Sequence, residues 1–153
     1  MSDSVIGKTG QDKTGEKAAK PLPIPDAASQ QFFDGAKAGK LMIQRCTACG
    51  ASRFVARVRC DMCRSADHEW ITSSGKATIV SFAVMHQRYH PGFYDELPYP
   101  LAVVELEEGP RLITSLVNVE GVELKAGLAL KAVYETVYDE AGEVIVLPKF
   151  SPA

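Results

Sequence analysis

Cys46-Thr47-Ala48-Cys49 and, after ten intervening residues, Cys60-Asp61-Met62-Cys63 contain all four cysteines of this 153-residue chain. Each CxxC turn places two sulfur atoms on the same side of a tight knuckle, at about the spacing of two corners of a tetrahedron around one metal ion. Gly50 follows the first pair, where such a knuckle needs a residue that tolerates positive φ. The spacing predicts a closed shell around structural zinc, whose four ligands are Cys46, Cys49, Cys60 and Cys63.

The cysteines have alternative interpretations. They could be two redox pairs or buried free thiols, but a thioredoxin-like CxxC is single, and buried thiols have no reason to recur at identical spacing. Iron is an alternative to zinc, since rubredoxin-type sites use the same sulfur geometry. A closed four-thiolate shell has no open coordination position. We therefore expect the metal to stabilise a small ribbon and to take no part in catalysis.

Length and composition bound the class of protein. A chain of 153 residues, 46% of them apolar, suits one compact domain or two small ones. The chain has no run of about eighteen apolar residues, so we expect no membrane span. Its first residues, Met1-Ser2-Asp3-Ser4, lack the basic and apolar regions of a secretory signal. Paired cysteines at metal spacing in such a chain predict a reducing, cytoplasmic location.

The net charge of −2 conceals an uneven distribution. Residues 40–64 carry six lysines and arginines against the single anion Asp61. Residues 76–153 carry six lysines and arginines against eleven aspartates and glutamates. The cysteine-containing segment is therefore basic, and the segment that follows it is acidic.

The chain divides into a tail and two folded parts. Residues 1–24 are polar at first and then proline-rich, which predicts a disordered tail. Residues 25–72 are expected to form a helix and the zinc ribbon. The helix is predicted over 26–38, with Asp26 as N-cap, Gly39 as the residue after the C-cap, and Gly35 as an internal weakness. Within the ribbon, the strands are predicted at 41–45, at 53–57 between the knuckles, and from His68 onward, with Trp70 closing the small core.

Residues 73–153 have the pattern of a small barrel. Five apolar or β-branched runs are separated by short turn signals, and no amphipathic helix is long enough for a βαβ crossover. A β-sandwich would need about seven strands, so a five-stranded, partly open OB-fold barrel is the expected solution. The predicted strands are 78–85, 101–106, 112–119, 128–137 and 144–147, with a hairpin turn at Glu107-Glu-Gly-Pro110. The predicted fold class is therefore mainly β.

With these motifs in place, the chain resembles the family of zinc-ribbon and OB-fold proteins first labelled a domain of unknown function, DUF35. The resemblance covers about residues 25–153 and rests on the order and spacing of ribbon and barrel motifs. One departure is Val55-Ala56, where the family usually carries one or two prolines. The matching stretches are Gly39-Lys-Leu, Arg45-Cys-x-x-Cys-Gly50, Arg53-Phe, Cys60-x-x-Cys63, Trp70, Ser74-Gly-Lys-Ala-Thr-Ile, Pro98 to Gly109 and Phe150-x-Pro152.

The resemblance implies a non-catalytic accessory subunit bound to a thiolase-fold enzyme that acts on acyl-CoA. Family partners include thiolases, acyltransferases and retro-aldolases that cleave acyl-CoA side chains of steroids or aromatic acids. In those assemblies the thiolase-like subunit carries the catalytic residues. The small subunit shapes the acyl-CoA channel and holds the pair together, commonly as a heterotetramer with two copies of each. Coenzyme A or an acyl-CoA is then the implied ligand near the partner interface.

The basic ribbon is compatible with that ligand. Arginine forks pair with the phosphate oxygens of coenzyme A in a bidentate way, and Arg53, Arg57 and Arg59 are the candidates. Arg57 and Arg59 would share a face if the second ribbon strand continued to Cys60. The alternative is that these arginines are solvated charges that keep a small domain soluble.

Two aromatic features are candidates for contact with a partner or its substrate channel. The connection 85–100 contains His90, Phe93 and Tyr94, and long aromatic loops in small barrels usually contact something. Its two histidines, His86 and His90, have no nucleophile or carboxylate motif beside them, which favours a surface or interface role over acid–base chemistry. In the helix, the adjacent Phe32 and Phe33 cannot both face one core, so one could be an exposed anchor. The alternative is that both cover the ribbon.

Nucleic-acid binding is the rival class, because zinc ribbons and OB barrels both bind nucleic acid elsewhere. An OB face for single strands needs basic residues interleaved with exposed aromatics. The barrel segment is acidic, which opposes contact with a phosphate backbone. A stand-alone enzyme is disfavoured as well, since the chain has no nucleophile elbow, phosphate loop or open metal site. The sequence therefore favours the accessory subunit.

Overall fold

A computed structural model describes residues 19–139 and 141–153 as a mainly β protein. The expected fold class of a short helix, a zinc ribbon and an OB-like barrel is confirmed. Within the described residues, no helix is long and apolar enough to cross a membrane. The elements are α1 (Gln30–Lys37), β1 (Met42–Cys46), β2 (Ser52–Arg53), β3 (His68–Thr72), β4 (Lys76–Met85), a 3-10 helix (Pro91–Glu96), β5 (Tyr99–Leu106), β6 (Arg111–Ser115), β7 (Ala129–Tyr138) and β8 (Val144–Pro152).

The helix is shorter than the predicted 26–38 at its N-terminal end. Asp26 and Ser29 cap each other: the Ser29 backbone N–H donates to Asp26 Oδ1 at 2.8 Å, and the Asp26 N–H donates to Ser29 Oγ at 3.0 Å. This reciprocal pair closes a turn, and regular helix begins only after it. At the other end Gly39 has a φ of 69°, and the Lys40 N–H donates to the Gly35 carbonyl at 2.8 Å. The expected glycine stop is confirmed as a Schellman motif.

Gly35 is required by packing, although the sequence marked it only as a helix-weakening residue. A Cβ atom built on Gly35 would lie 2.2 Å from Cγ of Met42, the first residue of β1. The residue is buried, so helix and strand approach each other at this point. A glycine therefore permits close packing of α1 on the ribbon, which outweighs its cost in helix propensity.

The ribbon is a three-stranded sheet in the order β2-β1-β3. The predicted strand over 53–57 is wrong beyond Arg53, because pairing with β1 ends at the Gln44–Arg53 pair. The backbone N–H of Arg57 instead donates to the side-chain oxygen of Gln44 at 2.9 Å. The chain thus turns around a buried glutamine side chain and leaves the sheet, so Arg57 and Arg59 do not share a strand face.

The barrel is a five-stranded antiparallel sheet in the order β6-β5-β4-β7-β8. A parallel bridge between Leu116 and Phe150 brings the chain after β6 against β8 and closes the sheet. The predicted hairpin is confirmed between β5 and β6, with Gly109 in the turn at a φ of 103°. The last strand runs to Pro152, well beyond the predicted Leu147, because it pairs with β7 along its whole length.

One hydrophobic core joins the ribbon to the barrel. Leu41 and Ile43 flank the start of β1, and both belong to the same buried cluster as barrel residues such as Ile79, Leu130 and Phe150. Helix α1 also packs against β8. The two parts that the sequence separates at residues 72 and 73 are thus packed together, and their relative position is determined by shared side-chain packing.

Part of the predicted tail has contacts in the structure. Residues 1–18 lie outside the described residues, but Lys20 forms an ion pair with Glu96 of the 3-10 helix. The Lys20 ammonium also lies 5.6 Å from the centroid of the Phe93 ring. Ala19 and Lys20 therefore lie against the long connection between β4 and β5.

Candidate metal centre and partner surface

The four cysteine sulfurs converge at one end of the ribbon. They all lie within 4.8 Å of one another, with 3.6 Å between the Sγ atoms of Cys46 and Cys63 and 3.7 Å between those of Cys49 and Cys60. A Zn–S bond of about 2.3 Å implies sulfur separations of about 3.8 Å in a tetrahedron. The donor set and its spacing fit a structural zinc ion held by four thiolates. Such a site links the two knuckles and leaves no position for substrate.

The two knuckles have the same backbone hydrogen bonds. The Gly50 N–H donates to the Cys46 carbonyl at 2.9 Å, and the Arg64 N–H donates to the Cys60 carbonyl at 3.0 Å. Both Gly50, at a φ of 76°, and Arg64, at 64°, are left-handed. The positive φ expected of Gly50 is confirmed, whereas the equivalent role of Arg64 has no glycine to signal it. The second knuckle therefore places a non-glycine residue in a conformation that costs about 1 kcal/mol.

Backbone hydrogen bonds in each knuckle shift the pKa values of the cysteine thiols. Hydrogen bonds from the backbone of Cys63 and then Met62 lower the pKa of Cys60 to about 6. The backbone of Cys49 similarly lowers the pKa of Cys46. A hydrogen bond from the Ser65 backbone acts to lower the pKa of Cys63, but the neighbouring sulfurs of Cys49, Cys46 and Cys60, together with partial desolvation, outweigh it and raise the pKa to about 12. The N–H groups thus favour thiolates, and a divalent cation would complete that charge balance.

The three candidate arginines are in different environments. Arg53 is only 7% exposed, so it is a buried residue of the ribbon. Arg57 is exposed, and its Nη1 lies 3.3 Å from the Asp61 carboxylate. Arg59 is also exposed and donates from Nη1 to the Arg64 carbonyl at 3.2 Å. The structure therefore leaves Arg57 and Arg59 available to a phosphate group at the surface, and it removes Arg53 from that surface.

The two helix phenylalanines and the tryptophan meet in one groove, which we call the aromatic groove. Phe32 and Phe33 are both half-buried, with ring centroids 5.2 Å apart, and Phe32 also lies 5.4 Å from the Phe54 ring. Trp70 forms part of the groove wall, so it does more than close the ribbon core. The sequence did not indicate that Met42, Gln44 and Phe54 also line the groove, since their convergence depends on how α1 lies on the sheet.

The connection between β4 and β5 is organised by its own contacts. His90 caps the 3-10 helix, since its Nδ1 accepts a hydrogen bond from the Gly92 N–H at 3.1 Å. Its ring lies 6.0 Å from that of Phe93, which in turn lies 6.3 Å from Tyr99. The Arg88 guanidinium lies 5.1 Å from the Tyr94 ring centroid. His90 thus has a structural role, and Phe93 and Tyr94 are half-buried on the loop.

Two family models match successive parts of this chain. The ChsH2 rubredoxin-like zinc ribbon domain matches residues 33–69. The ChsH2 C-terminal OB-fold domain matches residues 70–135. The matched descriptions agree with the order of ribbon and barrel seen in the structure.

Curated relatives support the same class. A DUF35 domain-containing scaffold protein of Pyrococcus furiosus is 36% identical over 102 residues, which are 65% of this chain and 74% of the relative. Its counterpart in Methanocaldococcus jannaschii is 30% identical over 111 residues, or 71% and 78% of the two chains. A probable enoyl-CoA hydratase alpha subunit of Thermomonospora curvata is 36% identical over 148 residues, 95% of this chain. This chain spans only 44% of the length of that last relative.

Solved structures are also similar. A chain of the Ltp2-ChsH2(DUF35) aldolase superposes with a TM-score of 0.72 at 33% identity, over 86% of this chain and 98% of that one. A DUF35 protein of Sulfolobus solfataricus, at 19% identity and a TM-score of 0.56, shares the fold. These similarities define the class of protein, which is a zinc ribbon joined to an OB-fold. The chain belongs to the DUF35 family.

Proposed function

We propose that this chain is a non-catalytic accessory subunit of an enzyme complex that acts on acyl-CoA. The observation that carries the proposal is the similarity to the DUF35 chain of the Ltp2-ChsH2 aldolase, over nearly the full length of that chain. Relatives named as scaffold proteins and as a hydratase alpha subunit support a role within a complex. The fit of the cysteine cluster to a closed structural metal site supports a non-catalytic role, because such a site offers no open position to a substrate.

The catalytic partner in this proposal has a thiolase fold and carries out thiolysis, acyl transfer or retro-aldol cleavage. Two copies of each chain assemble into a heterotetramer, and coenzyme A or an acyl-CoA lies near the contact between them. The small subunit stabilises the partner and shapes the channel. Exposed Arg57 and Arg59 contact the coenzyme A phosphates, because guanidinium groups pair well with phosphate oxygens.

Two surfaces are proposed to meet the partner. The first is the loop carrying Phe93 and Tyr94, whose rings are held in place by His90, Tyr99 and the Arg88 guanidinium. Preorganised aromatic side chains contribute strongly to interfaces because they lose little conformational entropy on binding. The second is the rim of the aromatic groove at Phe32 and Phe33, which is apolar and partly open.

The first test is to capture the zinc-loaded chain with its partners from a native extract and to identify the proteins by mass spectrometry. We expect a thiolase-fold protein at about equal stoichiometry, and light scattering of the reconstituted complex should give the mass of two copies of each chain. Nucleic acid that elutes with salt, with no protein partner, would instead support the rival class.

The reconstituted complex then tests the phosphate site. The double variant Arg57→Glu/Arg59→Glu should weaken acyl-CoA affinity at least about tenfold, since two charge-assisted hydrogen bonds are lost. The matched control is Lys125→Glu/Lys131→Glu, which makes the same charge change on exposed barrel residues. Equal affinities of the two double variants would remove Arg57 and Arg59 from the site.

A further inference from the structure

The floor of the aromatic groove is a row of three side chains across the ribbon sheet. Gln44 of β1 is paired with Arg53 of β2 on one side and with Trp70 of β3 on the other. Directly paired residues of neighbouring strands project from the same face of a sheet. All three line the groove, and helix α1 covers this face from above with Phe32 and Phe33.

The guanidinium of Arg53 is buried in this row without a counter-charge. Its Nε donates to Gln44 Oε1 at 2.7 Å, and its Nη2 donates to the Arg57 carbonyl at 3.1 Å, so both acceptors are neutral. Among the described residues, its Nη1 is the one buried side-chain polar atom without a hydrogen-bond partner, and no ion pair of Arg53 is formed. A buried cation that lacks an anion is costly, typically by several kcal/mol.

The space beside Arg53 is small and apolar. The groove encloses about 210 Å³, and an apolar cavity of about 150 Å³ is enough to hold a benzene molecule. Its walls are mostly carbon-rich side chains, and one of them, Val55, is 56% exposed. The groove therefore matches the volume of one ring or of a short aliphatic chain.

We propose that the aromatic groove binds a small apolar carboxylate, with the hydrocarbon part between Phe33 and Trp70 and one carboxylate oxygen accepting a hydrogen bond from Arg53 Nη1. Gln44 and the Arg57 carbonyl already occupy the other edges of the guanidinium, so the interaction is with a single oxygen. An anion is preferred over a neutral carbonyl because it supplies the missing charge. Nη1 is covered in the free protein, so binding includes a shift of the groove wall.

The binding site belongs to the chain itself and can be tested without a partner, although its rim at Phe33 is also one of the surfaces proposed to meet the partner. The chain provides a reporter as well, since Trp70 is its single tryptophan and lines the groove. Fluorescence of the zinc-loaded full chain should be titrated with hexanoate, hexanamide and 1-hexanol, which share one hydrocarbon size and differ in the polar end. We expect saturable binding of hexanoate that is at least about tenfold tighter than that of 1-hexanol, with hexanamide between them.

Variants separate the charge from the hydrocarbon contact. Arg53→Met should abolish the preference for hexanoate while 1-hexanol still binds, and Phe33→Ala should weaken all three probes. Arg45→Met is the matched control, because Arg45 lies in the same sheet but is exposed and paired with Glu69. Zinc content and circular dichroism report folding, and if Arg53→Met does not fold, the wild-type probe series and Phe33→Ala carry the test. The proposal is overturned if hexanoate binds no better than 1-hexanol, or if no probe gives a saturable response.

Discussion

The four cysteines of the ribbon fall into two environments although their sulfurs form one cluster. Cys46 and Cys60, the first residue of each pair, are buried, while Cys49 and Cys63 are exposed. Cys46 is the last residue of β1, whereas Cys60 lies outside the strands, and the exposed pair is on the solvent side of the cluster. We therefore expect folding to depend more on the two buried cysteines than on the two exposed ones, because a buried thiol also contributes to the packing.

Replacement of Cys60 by serine is predicted to release the metal and destabilise the ribbon. Three thiolates and a buried hydroxyl bind zinc far more weakly than four thiolates, and zinc affinity is coupled to folding. Elemental analysis should show a fall from about one zinc per chain to a small fraction, with a lower thermal midpoint. Met62→Ser is the matched control, since Met62 lies in the same knuckle and is 78% exposed. Cys60→Ser protein that keeps its zinc and its midpoint would contradict the structural-metal assignment.

At the scale of elements, the contact of α1 with β1 shows how packing overrides local preference. The helix is eight residues long and ends in a Schellman motif at Gly39. Its amphipathic face carries Phe32 and the buried Ala36, and the close approach at Gly35 sets its distance from the ribbon. The helix is too short to be stable by itself, so these contacts hold it in place. The same contacts form the roof of the aromatic groove.

Gly35→Ala is predicted to destabilise the protein, although alanine is the better helix former by about 1 kcal/mol. The new Cβ would collide with the Met42 side chain, and overpacking of this kind typically costs about 1–3 kcal/mol. Urea unfolding should therefore show a loss of stability. In a double-mutant cycle with Met42→Ala, the cost of Gly35→Ala should fall but not vanish, because Cγ of Met42 is gone while its Cβ and the Lys40 carbonyl oxygen remain 3.2 and 3.1 Å from the new Cβ. If Gly35→Ala stabilised the protein that retains Met42, α1 and β1 could not be in close contact at this point.

At the scale of the whole molecule, the ribbon is attached to the barrel by more than the shared core. Glu108, in the hairpin turn between β5 and β6, accepts hydrogen bonds from the Ser74 N–H and the Ser73 hydroxyl of the linker. Partial burial acts to raise the pKa of Glu108, but these two hydrogen bonds outweigh it and hold the pKa below its usual value of 4.5. The carboxylate therefore ties the barrel to the segment that leads out of the ribbon.

Glu108→Gln is predicted to lower stability by about 1 kcal/mol at neutral pH, since the amide forms weaker bonds than the carboxylate. A lowered pKa means that the carboxylate contributes stability above the unfolded-state pKa, and that this contribution is lost as pH falls through the lower, folded-state pKa. The difference between wild type and Glu108→Gln should thus be constant near pH 7 and shrink below about pH 4.5. Urea unfolding between pH 3 and 7 measures it. Glu107→Gln, at the exposed neighbouring position, is the control, and a difference that persists at low pH would refute the link.

Features with a short-range cause could be predicted from the sequence. The CxxC spacing predicts the sulfur cluster because a single turn determines where both sulfurs point. The glycine stop at Gly39 and the hairpin at Gly109 follow from the need for positive φ. Alternation of apolar residues indicates the barrel strands because side chains of a strand alternate between two faces. The error at 53–57 has a physical reason too: the buried Gln44 side chain competes for the backbone N–H of Arg57.

The sequence by itself determined the metal-binding motif, the strands and their order along the chain. The tertiary structure decided which side chains meet: that Arg53 is buried beside Gln44 and Trp70, that Gly35 lies against Met42, and that ribbon and barrel share one core. These contacts join residues of different helices and strands, and no local pattern encodes them. From the basic stretch alone, Arg53 would be interpreted as a surface charge. The pairing of β1 with β2 and β3 places it beneath the helix instead.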